Sequence, residues 1–411
     1  MSKTWLDRGL LGRIRKITRP WRCHLVGGAV RDHLLGRAIH DLDLLVGGGD
    51  PVVSALAAQL PARKIEIGGD RFAAIRLVGV DDDGSDFEID VWDRGETPLE
   101  QELARRDLTI NSLALDLADG ALTDPFAGGR DIAVRRLRAT TDTVFADDPL
   151  RVLRLARFAA ELDGFAVEPA TRELARSAID GLERVASERQ REELTRTLVA
   201  ERPEAAIALW AEIGFLSRSL AVDSDLATAG AASVRTAIER ARGCRALLPP
   251  EVHADRFTLH AATLLTALDR DIAMLFELGL ISKRQARGVA LVLPHRRLPA
   301  ESAEQRWLLY RAAEQWPAAL CHAAAWDPSP TDAAERAASI AALAVAEGDS
   351  IFNPQPLVRG DEIRRQLAIN TGPEIGVAAK RLRRLQVEGR ITRHDQALDW
   401  LLNEHRSSTA D

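Results

Sequence analysis

Apolar and polar residues alternate most clearly in two short stretches near the start of the chain. Residues 24–26, HLV, predict a buried strand, and residues 41–46, DLDLLV, predict a second one. Because alternate residues of a strand share a face, Asp41 and Asp43 are expected side by side, while the intervening leucines enter the core. Two neighbouring carboxylates repel each other, and the usual compensation is a divalent cation that also binds phosphate.

The segment between these strands contains a glycine turn and a short helix. Gly27-Gly28 carry no Cβ, so their backbone N–H groups are expected to approach an anion closely. Residues 29–35 have the pattern of a helix, whose positive N-terminal end would face the same anion. This strand–turn–helix–strand unit therefore predicts a phosphate cradle beside a metal site.

Three further segments of the first half carry candidate chemistry. Residues 73–80 and 87–92 predict two strands joined by a turn at 81–84, and the alternation places Glu88 and Asp90 on one face. Residues 103–114 are predicted as a helix, and 142–162 as a helical segment in which Pro149 takes the first helical position. In the first of these helices, Arg106, Asp107 and Asn111 lie within one turn, an arrangement that suits a sugar next to phosphates. The second carries Asp148 before the proline, an apolar stripe of Leu150, Leu153 and Phe158, and Arg151, Arg154 and Arg157 on the other side.

Composition and charge refine this picture. The chain has 411 residues, 46% hydrophobic and only 5% aromatic, which favours helix over sheet for most of its length. Three distant cysteines indicate neither a zinc site nor a disulfide framework, and the N-terminus lacks an apolar signal segment, so a cytoplasmic setting without membrane contact is expected. The net charge of −6 argues mildly against nucleic-acid binding, but residues 8–22 and 359–393 are basic.

The motifs and their order resemble the class II nucleotidyltransferases, the family of tRNA CCA-adding enzymes and bacterial poly(A) polymerases. The resemblance covers about residues 22–200, namely the Gly-Gly turn with its D-x-D strand, RRDLTIN at 105–111, DPFAGGRD at 124–131, DDPLR at 147–151 and ERQREEL at 188–194. It implies an α+β fold, with a polymerase-β-like head of mixed sheet and helices followed by an elongated all-α neck, body and tail. The expected boundaries are 1–140 for the head, 141–200 for the neck, 201–350 for the body and 351–411 for a tRNA-binding tail.

The resemblance also assigns roles to individual residues. Asp41 and Asp43 are expected to hold two Mg²⁺ ions, with Glu88 and Asp90 as further candidate ligands. The remaining roles are the following: Gly27, Gly28, Arg31 and Arg154 for the triphosphate; Arg106, Asp107 and Asn111 for the ribose; Asp148 and Arg151 for the base; Glu188 and Arg189 as a brace of the base-reading helix through Glu–Arg pairs; and Lys380, Arg381, Arg383 and Arg384 for tRNA. The turn at 124–131 is interpreted as structural. Asp147 stands where the family has Glu.

The activity implied is addition of C, and of A as well, to the tRNA 3′ end from CTP and ATP, with the protein itself selecting the nucleotide. Three alternatives remain open at this point: an enzyme that adds only the two C residues, a poly(A) polymerase, and an inactive RNA-binding scaffold. The short segment 93–104 is a mark of relatives that add only C, whereas the intact D-x-D disfavours a scaffold. His260 is followed by Ala261 rather than Asp, so the phosphohydrolase activity of some relatives is not expected.

Overall fold

The computed structural model describes residues 6, 9–39, 41–67, 74–81, 84–367 and 372–408. The chain divides into two compact units, residues 1–189 and 190–411. The four domains expected from the sequence stay a prediction. In the described part of the chain, no helix is both long and apolar enough to span a membrane.

The first unit is built on a mixed seven-stranded sheet with the order β3-β4-β5-β2-β1-β6-β7. Its strands are β1 Cys23–Val26, β2 Asp41–Val46, β3 Ala62–Ile67, β4 Ala74–Val80, β5 Asp86–Asp93, β6 Ala114–Asp116 and β7 Leu122–Thr123. β2 lies at the centre, parallel to β5 and antiparallel to β1. The predicted strands at 24–26, 41–46, 73–80 and 87–92 are confirmed over their described residues; residues 40, 73, 82 and 83 lie outside the described part.

Helices complete the first unit. They are α1 Gly9–Thr18, α2 Gly28–Leu34, α3 Gly49–Gln59, α4 Leu99–Ala104, α5 Gly128–Ala133, α6 Val144–Asp147, α7 Leu150–Glu161 and α8 Pro169–Ala178, with 3-10 helices at Thr109–Asn111 and Ile179–Arg184 and a small sheet of β8 Arg136–Leu137 and β9 Ala166–Val167. Apolar side chains of α4, β1, β2 and β6 pack together in one core cluster. α9 Ser187–Val199 crosses the boundary between the units.

The helix predicted over 103–114 is wrong. α4 ends at Ala104, and Leu108 is extended and bridges to Ala139. The N–H of Thr109 donates to the carbonyl of Arg138, and its hydroxyl donates to the fully buried carboxylate of Asp131 at 2.7 Å. These long-range contacts override the local pattern and draw the segment into a 3-10 turn followed by β6.

The buried Asp131 explains the DPFAGGRD turn. Besides Thr109, its carboxylate accepts hydrogen bonds from Arg136 at 2.5 Å and Arg138 at 2.8 Å, and Asp124 accepts hydrogen bonds from the backbone N–H groups of residues 128 and 129. Because a buried charge is costly unless it is paired, this acid fixes the turn rather than binding substrate. The contacts agree with the structural role predicted for it.

The described residues of the second unit form helices joined by loops, with no strand among them. Its helices are α10 Pro203–Glu212, α11 Phe215–Leu220, α12 Ser224–Ala246, α13 Arg256–Ala267, α14 Ile272–Glu277, α15 Lys283–Val292, α16 Ser302–Ala312, α17 Trp316–Trp326, α18 Ala333–Glu347, α19 Asp349–Phe352, α20 Gly360–Leu367, α21 Gly372–Val387 and α22 His394–Ser408. His260 is buried on α13, and its Nδ1 lies 2.6 Å from the carbonyl oxygen of Leu198. This histidine is a packing residue of the helical core.

Candidate active site

Asp41 and Asp43 share one face of the central strand. Asp41 is exposed and Asp43 is half-buried, while Leu42 and Leu44 between and beyond them are buried. The Nη1 of Arg106 lies 3.7 Å from the Oδ2 of Asp43. Burial and the neighbouring carboxylates raise the pKa of Asp43, whereas Arg106 opposes this shift. A site that crowds negative charge in this way fits a cation.

Gly27 is required by the space beside these acids. Its φ is +72°, and a Cβ there would lie 2.4 Å from the Nη1 of Arg106 and 3.1 Å from the Oδ2 of Asp43. Its N–H donates to the carbonyl of Leu113 at 3.2 Å, so that group is already used within the protein. The expectation that this N–H faces an anion is therefore wrong: Gly27 makes room for Arg106 and Asp43. Gly28, by contrast, is the first residue of α2.

A buried chain of hydrogen bonds joins α2, the 3-10 turn and α7. Arg31 Nη1 donates to Asn111 Oδ1 at 2.7 Å, and Asn111 Nδ2 donates to Asp107 Oδ1 at 2.9 Å. Arg154 Nε then donates to Asp107 Oδ2 at 2.7 Å. Burial alone would raise the pKa of Asp107, but Arg154 and the hydrogen bonds it accepts hold that pKa far below its usual range. Asp107 and Asn111 thus lie together as predicted, whereas Arg106 turns to Asp43.

The ring of Phe158 on α7 is surrounded by three guanidinium groups. The Cζ atoms of Arg157, Arg31 and Arg154 lie 4.4, 5.3 and 5.7 Å from the ring centroid. Cation–π attraction of this kind holds like charges near one another that would otherwise separate. The sequence pattern identifies Phe158 only as part of the apolar stripe, so its contact with the three arginines was missed.

Asp148 and Arg151 lie at the start of α7. The Nη2 of Arg151 donates to the carbonyl of Arg105 at 2.6 Å, and its Nε lies 3.9 Å from Asp148. Asp148 accepts a hydrogen bond from the N–H of residue 150 and lies 3.6 Å from the Nη2 of Arg189. The predicted brace is therefore made by Arg189 with Asp148. Glu188 is exposed and accepts a hydrogen bond from Ser187 instead of forming the expected Glu–Arg pair.

Glu88 and Asp90 lie beside the paired aspartates, as the alternation predicted. Across the parallel pair β2–β5, Asp41 faces Glu88 and Asp43 faces Asp90. Both acids of β5, however, are bound by Arg76, a residue that the sequence interpretation missed. In the described part of the chain, no group of three or more Asp, Glu, His or Cys side chains is arranged to hold a metal ion. The carboxylates best placed for a cation are therefore Asp41 and Asp43.

The basic cluster predicted for tRNA lies on α21 in the second unit. Lys380, Arg381 and Arg384 are exposed, whereas Arg383 is half-buried and donates to the carbonyl of Pro354. Arg384 also pairs with Glu388 at 2.7 Å and stacks over the ring of Trp307 at 5.4 Å. Three of the four predicted side chains therefore present charge to solvent, and Arg383 serves the packing of the unit.

Two parts of the chain match known protein families. Residues 23–138 match the poly A polymerase head domain, and residues 164–220 match the probable RNA and SrmB-binding site of polymerase A. The Multifunctional CCA protein of Leptothrix cholodnii is 40% identical over 208 residues, which are 48% of this chain and 49% of that protein. That of Verminephrobacter eiseniae is 39% identical over 48% of this chain and 50% of the relative. The matched region thus spans about half the length of these curated relatives.

Solved structures share the fold over nearly the whole chain. The Bacillus stearothermophilus CCA-adding enzyme in complex with CTP is 22% identical, with a TM-score of 0.70 over 97% of both chains. The Thermotoga maritima CCA-adding enzyme complexed with tRNA is 21% identical, with a TM-score of 0.65 over 96% of this chain and 95% of that one. The α+β fold predicted from the sequence is confirmed. Together, the comparisons show a poly A polymerase head domain at 23–138 and a probable RNA-binding region at 164–220, within a fold that CCA-adding enzymes share.

Proposed function

We propose that this chain is a tRNA nucleotidyltransferase of the cytoplasm that adds C and then A to the tRNA 3′ end, using CTP and ATP and releasing pyrophosphate. The observation that carries the proposal is the pair Asp41 and Asp43 on one strand face, beside the Gly27 turn. Support comes from relatives named Multifunctional CCA protein and from the fold shared with CCA-adding enzymes. In the reaction, the terminal ribose hydroxyl oxygen bonds to the α-phosphorus, and the bond from that phosphorus to the β-phosphate oxygen breaks.

Asp41 and Asp43 would hold two Mg²⁺ ions, a donor set that fits because hard cations take carboxylate oxygens together with substrate phosphates. When bound, these ions supply neutralisation of phosphate charge and a lowered pKa of the attacking hydroxyl. The chain's own residues position the nucleotide. Arg106 and Arg154 would present guanidiniums to the triphosphate. The buried Asp107–Asn111 pair, in which Asn111 also accepts a hydrogen bond from Arg31, would offer donors and acceptors to the ribose.

Asp148 and Arg151 would select the base. A carboxylate accepts from the exocyclic amino group of cytosine or adenine, and a guanidinium donates to ring acceptors. Arg105 fixes Arg151 through its carbonyl, and Arg189 lies against Asp148 from α9. The Arg151 guanidinium and the Asp148 carboxylate are therefore held in place before a nucleotide binds, which suits recognition without a nucleic-acid template. The exposed Lys380, Arg381 and Arg384 would contact tRNA phosphates, which position the substrate without reading sequence.

A second candidate, addition of only the two C residues, is favoured by one observation. The chain passes from β5 to α4 through residues 94–98 alone, and Asp93 ties this connection down by accepting hydrogen bonds from the N–H groups of Gly48 and Gly95. A short, fastened connection limits the rearrangement with which a site could change from cytosine to adenine.

One experiment tests both candidates. Purified protein is incubated with tRNA that lacks its 3′ CCA, with CTP, with ATP and with both, and the products are sized. Growth by two residues with CTP and by three with both nucleotides supports CCA addition; growth by two in every mixture that contains CTP supports the C-only enzyme. A long A tail with ATP would indicate a poly(A) polymerase.

Asp41→Ala is expected to abolish incorporation while tRNA still binds, because Asp41 acts on the metal; full activity in this variant would refute the mechanism.

A further inference from the structure

Arg76 on β4 binds both acidic side chains of the neighbouring strand. Its Nε and Nη2 donate to the two carboxylate oxygens of Asp90, each at 2.8 Å, and its Nη1 lies 2.7 Å from Glu88 Oε1. All three nitrogens of the guanidinium thus contact the two acids. Bidentate contacts of this type fix a carboxylate in orientation as well as in charge.

The register of the sheet places this ion pair next to the proposed metal site. Arg76 lies opposite Asp90 on β5, and Asp90 lies opposite Asp43 on β2. The Nη1 of Arg106 lies 3.7 Å from the Oδ2 of Asp43. Each of the two acids therefore has an arginine as a neighbour, and Asp90 is one strand away from a side chain that would bind a metal. Paired residues on neighbouring strands have Cβ atoms only about 5 Å apart.

We propose that Arg76 is a positioning residue that withholds Asp90 and Glu88 from the metal site, so that, among the described residues, Asp41 and Asp43 are left as its carboxylate ligands. This inference rests on the metal site of the proposed function. Mg²⁺ in nucleotide-transferring sites is held by one or two carboxylates and keeps its remaining positions for water and substrate phosphates. Four free carboxylates on this face would bind a cation more tightly without nucleotide and would occupy positions that the triphosphate needs.

The test measures metal binding directly. Mn²⁺, used as the probe, is titrated into the full-length protein without nucleotide, and free Mn²⁺ is followed by electron paramagnetic resonance. Arg76→Gln releases both acids, and we expect Mn²⁺ affinity to rise about fivefold at low salt, from one added negative charge within about 8 Å of a divalent ion. Asp90→Asn in the Arg76→Gln background removes the nearer freed charge and is expected to return the affinity most of the way to that of the wild type.

Arg63→Gln is the matched control, because Arg63 is exposed on the edge strand β3 and lies farther from the aspartates. It removes the same charge from the same sheet and, in the same low-salt buffer, is expected to raise Mn²⁺ affinity clearly less than Arg76→Gln does, because the Coulomb energy falls with distance. Unchanged affinity in Arg76→Gln, or an equal change in Arg63→Gln, would overturn the inference. If Arg76→Gln does not fold, Arg76→Lys, which keeps the charge but not the fork, is expected to give a smaller rise, and wild-type affinity in that variant would count against Arg76.

A second measurement separates this inference from the proposed function. Nucleotide incorporation by Arg76→Gln is compared over a range of CTP concentrations, and we expect KM for CTP to rise more than kcat falls, since the freed acids compete with phosphate for the cation. If the wild-type protein incorporates no nucleotide into tRNA, the proposed function fails, while the Mn²⁺ titrations still decide whether Arg76 controls the acids.

Discussion

Replacing Gly27 by alanine tests whether this glycine makes room for the contact between Arg106 and Asp43. A Cβ on Gly27 would lie 2.4 Å from the Nη1 of Arg106, closer than any real contact, and the backbone φ is +72°. With φ at +72° and ψ at −135°, the backbone lies outside the left-handed helical region, and a non-glycine residue there costs about 1–3 kcal/mol. The clash itself is cheap to relieve, because Arg106 is a flexible side chain that can swing away. Its relief moves Arg106 from Asp43, and this displacement carries the functional effect.

The size of that effect follows from the contact between Arg106 and Asp43. Two charges 3.7 Å apart attract each other by about 1 kcal/mol in water and by about 4 kcal/mol at an effective dielectric constant of 20. Both side chains are partly exposed, at 24% and 34%, so the lower part of this range applies. We therefore expect nucleotide incorporation by Gly27→Ala to fall about tenfold, since about 1.4 kcal/mol corresponds to a factor of ten in rate.

Gly36→Ala is the matched control in the same assay. Gly36 also has a positive φ, +68°, but a Cβ there would meet no atom of the described residues within 4 Å. Incorporation of labelled CMP into tRNA lacking its 3′ end is measured for both variants, with tRNA binding as a check of folding. Wild-type activity in Gly27→Ala, or an equal loss in both variants, would refute the reasoning.

Three further predictions follow from the charges of the two units. Asp107→Asn should lower the free energy of unfolding of the head by about 2 kcal/mol at neutral pH through the lost pair with Arg154. Because the pKa of Asp107 lies far below its usual range in the folded chain, this difference should be nearly the same at pH 7 and pH 4 and should decline only as pH falls well below 4; urea titrations at pH 7, 4 and 2.5 check it. Burial lowers the pKa of His260 to about 4 and of His322 to about 3, so the unfolded chain takes up protons first, and residues 190–411 should lose stability as pH falls from about 6.5 to 4; equal urea midpoints at pH 7 and 5 would contradict this. Arg151→Ala should loosen the preference for CTP over other nucleotides more than it weakens tRNA binding, and competition between labelled nucleotides tests the choice directly.

Local periodicity was sufficient for the central elements of the head. The period-2 pattern of residues 41–46 places Asp41 and Asp43 on one face because strand geometry depends only on neighbouring residues. The same reasoning failed at 103–114, where Asp131 and the backbone of Arg138 capture Thr109 from 22 and 29 positions away. No pattern within the segment contains that information, so the helix was a reasonable but wrong prediction.

The sequence predicted which residues lie in the site better than it predicted which of them contact each other. The motifs identified Gly27, Arg106 and Asp43, but only the structure shows that the glycine serves the contact between the other two. Arg76 escaped notice because its partners belong to another strand, and strand pairing is not encoded in the spacing of residues. The partner of Arg189 could not be predicted for a similar reason, because Asp148 lies 41 positions earlier in the chain.

The aromatic ring of Phe158 has a consequence for how a polyphosphate is received. Three guanidiniums contact this ring in the folded chain, so the free-energy cost of their mutual repulsion is offset on folding. Each guanidinium also lies against a carboxylate: Arg31 against Asp32, Arg154 against Asp107 and Arg157 against Glu161. The ring and these acids together fix the three side chains, so their positions are set when the chain folds and need little reorganisation when a ligand binds.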